Sequence, residues 1–464
     1  MSEPTDWIGG QLTSQAVPPD EHPWIETHGC TATYRALRDG IRAHYREHFP
    51  LTDAARRLPH LNPGACFVSR LGHEPRVALA VLQAMLPPAV ELLLEHAPVA
   101  AETDGDRVAS VTLRGGGEDT VVAADWFLDA SETGALLPLC GAEHVTGFES
   151  QAMTGEPHAP HTYQPANLQP VTVCFAVDHL AGEDRTIPRP ARYDDFAARF
   201  GWVAPDPRTN RPVTRRLEPN PDEDALAIGP DFDDPELDKD LWRFRRIAAR
   251  GLFAPGAYRS DITLVNWPQV DYLDEPVLDA YAPGARELSL AFLHWMQTHG
   301  FPGLRLRGDV VGDTPDGLAK HPYIREPRRL QAVTTVREQD LTGARATDFP
   351  DSVGIGAYRI DLHPSTGGDP YIDLASRPFE IPLGALVPQR VENLIGAGKA
   401  IGTTHITNGA YRLHPVEWNV GEAAGHLAAH CAARGRIPRE VQAAPEELQR
   451  ELEAAGVELR WPEP

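Results

Sequence analysis

Two glycines stand side by side at Gly9-Gly10, followed at once by Gln11, Leu12, Thr13 and Ser14. A glycine pair lets backbone amides approach a ligand that a Cβ would hold off, and the two hydroxyls suit phosphate oxygens; a plain turn uses the same residues. The stretch Leu128-Asp129-Ala130-Ser131-Glu132-Thr133-Gly134 runs from a strand pattern into small residues and a glycine, the way an α/β sheet brings its carboxyl end against a nucleotide. Asn393-Leu394-Ile395-Gly396-Ala397-Gly398-Lys399 ends another strand, and farther on Gly421-Glu422-Ala423-Ala424-Gly425 is expected to open a helix. The free amides and positive end of such a helix suit a group that becomes anionic. Between them, His405, Asn408, Arg412 and His414 crowd a segment expected to be a loop, where a rigid scaffold tends to place site residues. His405, with an ordinary pKa near about 6.5, could exchange a proton with a substrate hydroxyl or simply bond to backbone. Arg412 could clamp an anion or form an ion pair with Glu417 or Glu422, and His414, ahead of Pro415, could cap a turn.

Elsewhere Asn266-Trp267-Pro268-Gln269-Val270-Asp271-Tyr272 mixes polar groups with aromatics, as a ligand pocket or a core edge would. Tyr358, Arg359, Asp361 and His363 lie along an expected strand, with Tyr358 and Ile360 on one face and Arg359 and Asp361 on the other. His158 and His161 share a proline-rich loop with no third ligand near in sequence, so no metal is expected. Cys30, Cys66, Cys140, Cys174 and Cys431 show no C-x-x-C spacing, which speaks against a zinc ribbon, an iron–sulfur cluster or a redox dithiol. Neither G-x-S-x-G nor H-E-x-x-H occurs, which speaks against a hydrolase.

These residues need elements to hold them. Helical spacing covers Thr31 to Tyr45, the stretch after Pro75 up to Met85, Arg286 to His299, and Gly421 to Ala433, with an exposed helix from Pro438 to Ala455. Strand patterns cover Glu91 to Ala97, Val108 to Leu113, Thr120 to Asp129, Tyr358 to Leu362, Phe379 to Leu383 and Val391 to Gly398. From Ser150 to Asp240 the chain reads as irregular, with loops at Ala204 to Asn210 and Glu218 to Asp224. At 464 residues the chain is too long for one core. A net charge of -23 speaks against nucleic-acid or anionic-membrane surfaces. No apolar run suits a spanning helix and no signal segment opens the chain, so a cytoplasmic protein acting on a small molecule is expected; the oligomeric state stays open.

Six segments carry a resemblance: Asp6 to Ser14 (DWIGGQLTS), Gly72 to Ala80 (GHEPRVALA), Phe127 to Gly141 (FLDASETGALLPLCG), Tyr323 to Thr335 (YIREPRRLQAVTT), Ser352 to Pro364 (SVGIGAYRIDLHP), and Asn393 to Gly425. In this order the chain resembles the FAD-dependent oxidoreductase family, whose broader relatives include glutathione-reductase-type and fumarate-reductase-type flavoproteins. The resemblance implies an α/β fold: a Rossmann-like, three-layer FAD-binding domain with an inserted α+β cap over the flavin. The expected parts are residues 1–148, the cap at 149–345, a return to the FAD-binding domain at 346–436, and a C-terminal helix and tail at 437–464. It places Glu3 at the adenosine ribose, Gly9, Gly10, Gln11 and Thr13 along the diphosphate, and Ala130, Gly134, Gly398, Gly421 and Glu422 around the cofactor. His405 and Arg412 are the expected catalytic pair, Arg412 stabilising reduced flavin, with Asn266, Tyr358 and Arg359 toward the substrate. The family opens with a strand, a G-x-G-x-x-G turn and a helix, which the sequence from Met1 lacks; Gly354-Ile355-Gly356 has no third glycine. Two readings therefore stay open: an oxidoreductase passing hydride between a small organic substrate and FAD, carrying little flavin without that unit, or a non-catalytic flavoprotein-derived binding or scaffold protein.

Overall fold

A computed structural model describes residues 1–202, 205–206, 211–212, 217–226, 240–278 and 282–462. Thr31 caps the helix Ala32–His48, its hydroxyl accepting the Tyr34 amide at 3.2 Å, a contact worth about 1 kcal/mol. Tyr34, Leu37, Ile41 and Tyr45 are all buried, as their spacing predicts. The same face buries Arg38 and Arg42, whose guanidiniums are answered by Glu21 and Glu26. An unanswered charge there would cost several kcal/mol. The helix Pro75–Met85 packs against this one. Its proline sits in the first turn, where a missing N–H costs no hydrogen bond.

Two parallel strand pairs follow: Ser2–Glu3 with Leu93–Leu94, and Phe127–Asp129 with Leu394–Gly396. Between them the chain makes an antiparallel meander of Ala97–Asp104, Arg107–Gly115 and Glu118–Ala123. The expected strand from Thr120 to Asp129 is thus two strands in different sheets. Helices and strands are interspersed, as an α/β chain requires, although no parallel ladder of three strands occurs among the described residues.

The stretch expected to be irregular contains the centre of the largest sheet. Phe175–His179 lies between Ile262–Val265 and Leu304–Leu306, with Arg246–Ala248 at the edge. Val173, Phe175 and Val177 face one core, shared with Leu288 and Phe292 of the helix Pro283–Thr298. Cys174 and Ala176 face another, shared with Leu37 and Ile41. Both faces are apolar, so the strand shows no alternation in sequence. Of the expected loop Ala204 to Asn210, only Pro205 and Asp206 are described, paired with Arg211–Pro212; the rest lies outside the described residues. Residues 218–224 carry no helix or strand.

The helix His414–Arg434 lies on the strand Ser352–Gly356. A Cβ on Gly354 would stand 2.1 Å from the Asn419 amide, which bonds the strand backbone at Val353 and Ile355. The Gly354-Ile355-Gly356 pair therefore serves close helix–strand approach. The tail is two helices, Pro438–Gln442 and Glu446–Ala454. It is less exposed than its charge pattern suggests, because Leu448 and Leu452 are buried in the core that holds Leu427. No helix among the described residues is long and apolar enough to cross a membrane.

Candidate functional site

The glycine turn at the start of the chain meets the carboxyl ends of both strands in the second parallel pair. Gly9 has φ +108° and Gly10 φ +48°, left-handed conformations that glycine adopts without strain. A Cβ on Gly10 would lie 2.6 Å from Glu132 Oε1. Gln11 donates through Nε2 to Glu417 Oε1 at 2.5 Å and to the Arg412 carbonyl at 3.3 Å, tying the N-terminal turn to the start of the helix His414–Arg434. Lys399 is buried, contacts Glu132, and lies 3.6 Å from Glu417 Oε1. At Gly398 a Cβ would find only ordinary contacts, 3.6 Å to Ala130 and 3.7 Å to Glu417. Burial pushes the Glu417 carboxyl up to about 7 even though Lys399 opposes the shift.

A second polar group lies along the other side of Arg412. Its Nη1 donates to the Tyr323 hydroxyl at 2.9 Å, and its Nη2 donates to the Asp361 carbonyl at 2.9 Å and stands 3.4 Å from that carboxylate. Arg325 lies 5.1 Å over the Tyr323 ring and pairs with Asp271 at 3.0 Å, which His363 approaches at 2.5 Å. Arg245 pairs with Asp20 at 2.8 Å, and the Asp20 amide donates to His414 Nδ1 at 3.0 Å. Burial pushes His414 down to about 4, so its ring is neutral at pH 7 and free to accept that bond. Tyr358 sits beside Asp20, Asp361, Arg245 and Arg412, with burial holding its phenol well above the ordinary range.

A family model described as FAD dependent oxidoreductase matches residues 1–452. The chain belongs to the FAD-dependent oxidoreductase family. No curated protein and no solved structure matches it. The cofactor of this oxidoreductase is FAD. The residues present fit such a ligand: Gln11 Oε1 and both amide atoms of Gln15 are buried without partners beside the glycine cradle. The Nε atoms of Arg245, Arg325 and Arg412 are buried without partners too. A ligand rich in donors and acceptors would supply what these groups lack.

Several sequence expectations change in this oxidoreductase. His405 lies on no loop, because His405–Tyr411 is a helix; Arg412, its C-cap, stands in the two-residue bend before the helix His414–Arg434. His405 is buried, its Nδ1 3.0 Å from Glu326, its amide donating to Glu149, and its ring stacked on Phe148 at 4.0 Å. Arg329 ties Glu149 and Glu326 together, so this histidine braces a buried ion cluster. Gly421 and Glu422 do not open a helix, because His414–Arg434 began seven residues earlier and their amides lie in its interior. Pro415 and the cap at Leu413 set that earlier start, and Glu422 instead accepts a bond from Thr33 at 2.6 Å. Arg412 pairs with Asp361, and neither Glu417 nor Glu422 is its partner. Arg359 is exposed and pairs with Asp373, since the side chain of Asp361 rather than Arg359 turns inward.

The other expected positions fall as follows. Glu3 ends its strand half-buried and accepts both bonds of Thr5, with burial raising its pKa. Thr13 spends its hydroxyl on the Ile8 carbonyl at 2.6 Å, which closes the turn. Gly134, at φ +63°, lies against the Arg328 backbone. Asn266 is buried with Oδ1 unpartnered. His158 pairs with Glu338 at 2.6 Å. Sequence reasoning missed Asp20, Glu132, Arg245, Tyr323, Arg325 and Lys399 as site residues. The available signal was a charged residue set among apolar neighbours, as in Pro322-Tyr323-Ile324-Arg325.

Proposed function

We propose that this oxidoreductase passes a hydride between a small organic substrate and FAD. In this reading Gly9, Gly10, Gln11, Ala130 and Gly398 hold the cofactor, with Glu3 toward its ribose end, and residues 149–345 cover it from a flavin-binding part formed by 1–148 and 346–436. Arg412, Tyr323, Tyr358 and Arg245 face the substrate, Arg412 supplying a guanidinium where negative charge develops. FAD supplies the electron chemistry, and the chain orients the substrate and excludes water.

The observation that supports this most is the set of unpartnered atoms on Gln11, Gln15 and Arg412, with Gln11 and Arg412 joined by a hydrogen bond. Leaving such groups buried without a ligand costs about 1–3 kcal/mol each. The test is flavin titration of the protein expressed from its own complete reading frame. Tight binding that Gln15→Leu and Gln11→Leu weaken about tenfold or more supports the reading. Equal affinity in both variants would remove these glutamines from the cofactor site, and absence of flavin binding would favour the scaffold reading.

A further inference from the structure

Lys399 is one buried cation facing two carboxylates, Glu132 and Glu417. Contact with Glu132 is the closer of the two, so Glu132 takes the charge and Glu417 is the surplus carboxylate. The groups around it do not make up the difference. Gln11 is neutral, His414 is neutral, and burial lowers the pKa of His321, which faces Glu132 and Lys399. Tyr323 faces Lys399 as a neutral phenol. Arg412, whose carbonyl shares the Gln11 amide, is spoken for by Asp361, and Arg245 by Asp20. A surplus carboxylate in such surroundings is more stable carrying a proton.

We propose that Glu417 holds the exchangeable proton of this site and is the group that trades it with the substrate, the part expected of His405. This rests on the oxidoreductase reading above. When a substrate is oxidised, its hydride leaves for FAD with both electrons, and the proton remaining on its oxygen or nitrogen joins the ionised Glu417 carboxylate. In the reverse direction the same carboxyl gives the proton back. The position suits proton exchange. Glu417 Oε1 and the Arg412 carbonyl share the Gln11 amide, and Glu417 Oε2 is 3.7 Å from where a Cβ on Gly398 would be, in ordinary contact with that glycine. A protonated Glu417 keeps accepting from Gln11 Nε2 at Oε1 and carries its proton on Oε2. His405 Nδ1 is held by Glu326 and one face of its ring is stacked on Phe148.

The test is infrared titration of the carboxyl carbonyl stretch with carbon-13 glutamate labelling, comparing wild type with Glu417→Gln and Glu132→Gln. Both changes are isosteric, and circular dichroism confirms the fold. The wild-type minus Glu417→Gln difference is expected to show one protonated glutamic acid at about pH 6 that is gone by about pH 9. Glu132→Gln frees Lys399 for Glu417, so that band should vanish at about pH 6 as well. A difference spectrum without a protonated glutamic acid at about pH 6, or a band unmoved by Glu132→Gln, overturns the proposal. This readout needs no flavin, so failure of FAD binding leaves it intact and defeats only the functional reading. The pH profile of flavin reduction should lose its near-neutral inflection in Glu417→Gln and keep it in His405→Gln; the opposite pattern returns the role to His405.

Discussion

Tyr323 and Arg412, 89 residues apart in the chain, are joined by a 2.9 Å hydrogen bond between the phenol and Nη1. The bond fixes a guanidinium that also reaches Asp361, and leaves its Nε buried with nothing to donate to.

Arg412→Ala is expected to slow flavin reduction by about tenfold or more, equivalent to about 1.4 kcal/mol of transition-state stabilisation. It should also lower stability by about 2–3 kcal/mol, because Asp361 loses its guanidinium and Tyr323 its donor. Stopped-flow reduction and thermal unfolding measure the two effects separately. A slow reduction step without loss of stability would mean that the Asp361 contact contributes little.

His405→Ala should act on stability rather than on the proton chemistry. It removes one partner of Glu326, which keeps Arg329, and the ring stacked on Phe148, a loss of about 2–4 kcal/mol. Denaturant unfolding shows this directly. Wild-type stability together with a flattened pH profile of turnover would contradict it.

Gly354→Ala forces a Cβ into the Asn419 amide, overpacking that should cost about 1–3 kcal/mol. Adding Asn419→Ala should restore part of the loss, because it opens the space. A double variant no more stable than the sum of the singles would show that the contact is not what Gly354 serves.

Stability should fall in acid. Burial holds His22, His73 and His414 each down to about 4. The unfolded chain binds their protons near the ordinary value of about 6.5, so it takes up more protons than the folded one between these limits. The contribution is complete above about pH 6.5 and is lost as pH falls through about 4. Urea unfolding across this range should show the decline, and His22→Asn should flatten part of it. An unchanged slope in that variant would exclude His22.

Much of the frame was legible because local signals agree with it. Thr31 before Tyr34, Leu37 and Ile41 marks a capped amphipathic helix, and Pro75 marks the next helix start. The glycine turn was legible for the same reason, since Gly9-Gly10 take left-handed φ values that favour glycine, and the strand ends at Asp129 and Gly396 were legible from the small residues that follow them. The strand Phe175–His179 was not legible, because two cores consume its two faces and erase the alternation. The helix start at His414 was obscured by glycine and alanine at Gly421 to Gly425, which look like an opening turn but lie mid-helix. The chemistry around Arg412 depends on Tyr323, Arg245 and Asp20, brought together only by the folded chain, and spacing along the sequence carries no trace of that. Lys399 and Glu132 flank the expected cradle within one residue of Gly398 and two of Ala130, yet their pairing needs the parallel ladder between Phe127–Asp129 and Leu394–Gly396.

The most direct measurement is the visible absorbance spectrum of the protein expressed from its own complete reading frame, before and after anaerobic addition of candidate substrates. Near-stoichiometric FAD, bleached by at least one small organic substrate and bleached more slowly in Arg412→Ala, is the predicted result. A folded protein that stays colourless, and that does not take up FAD on titration, would contradict the account.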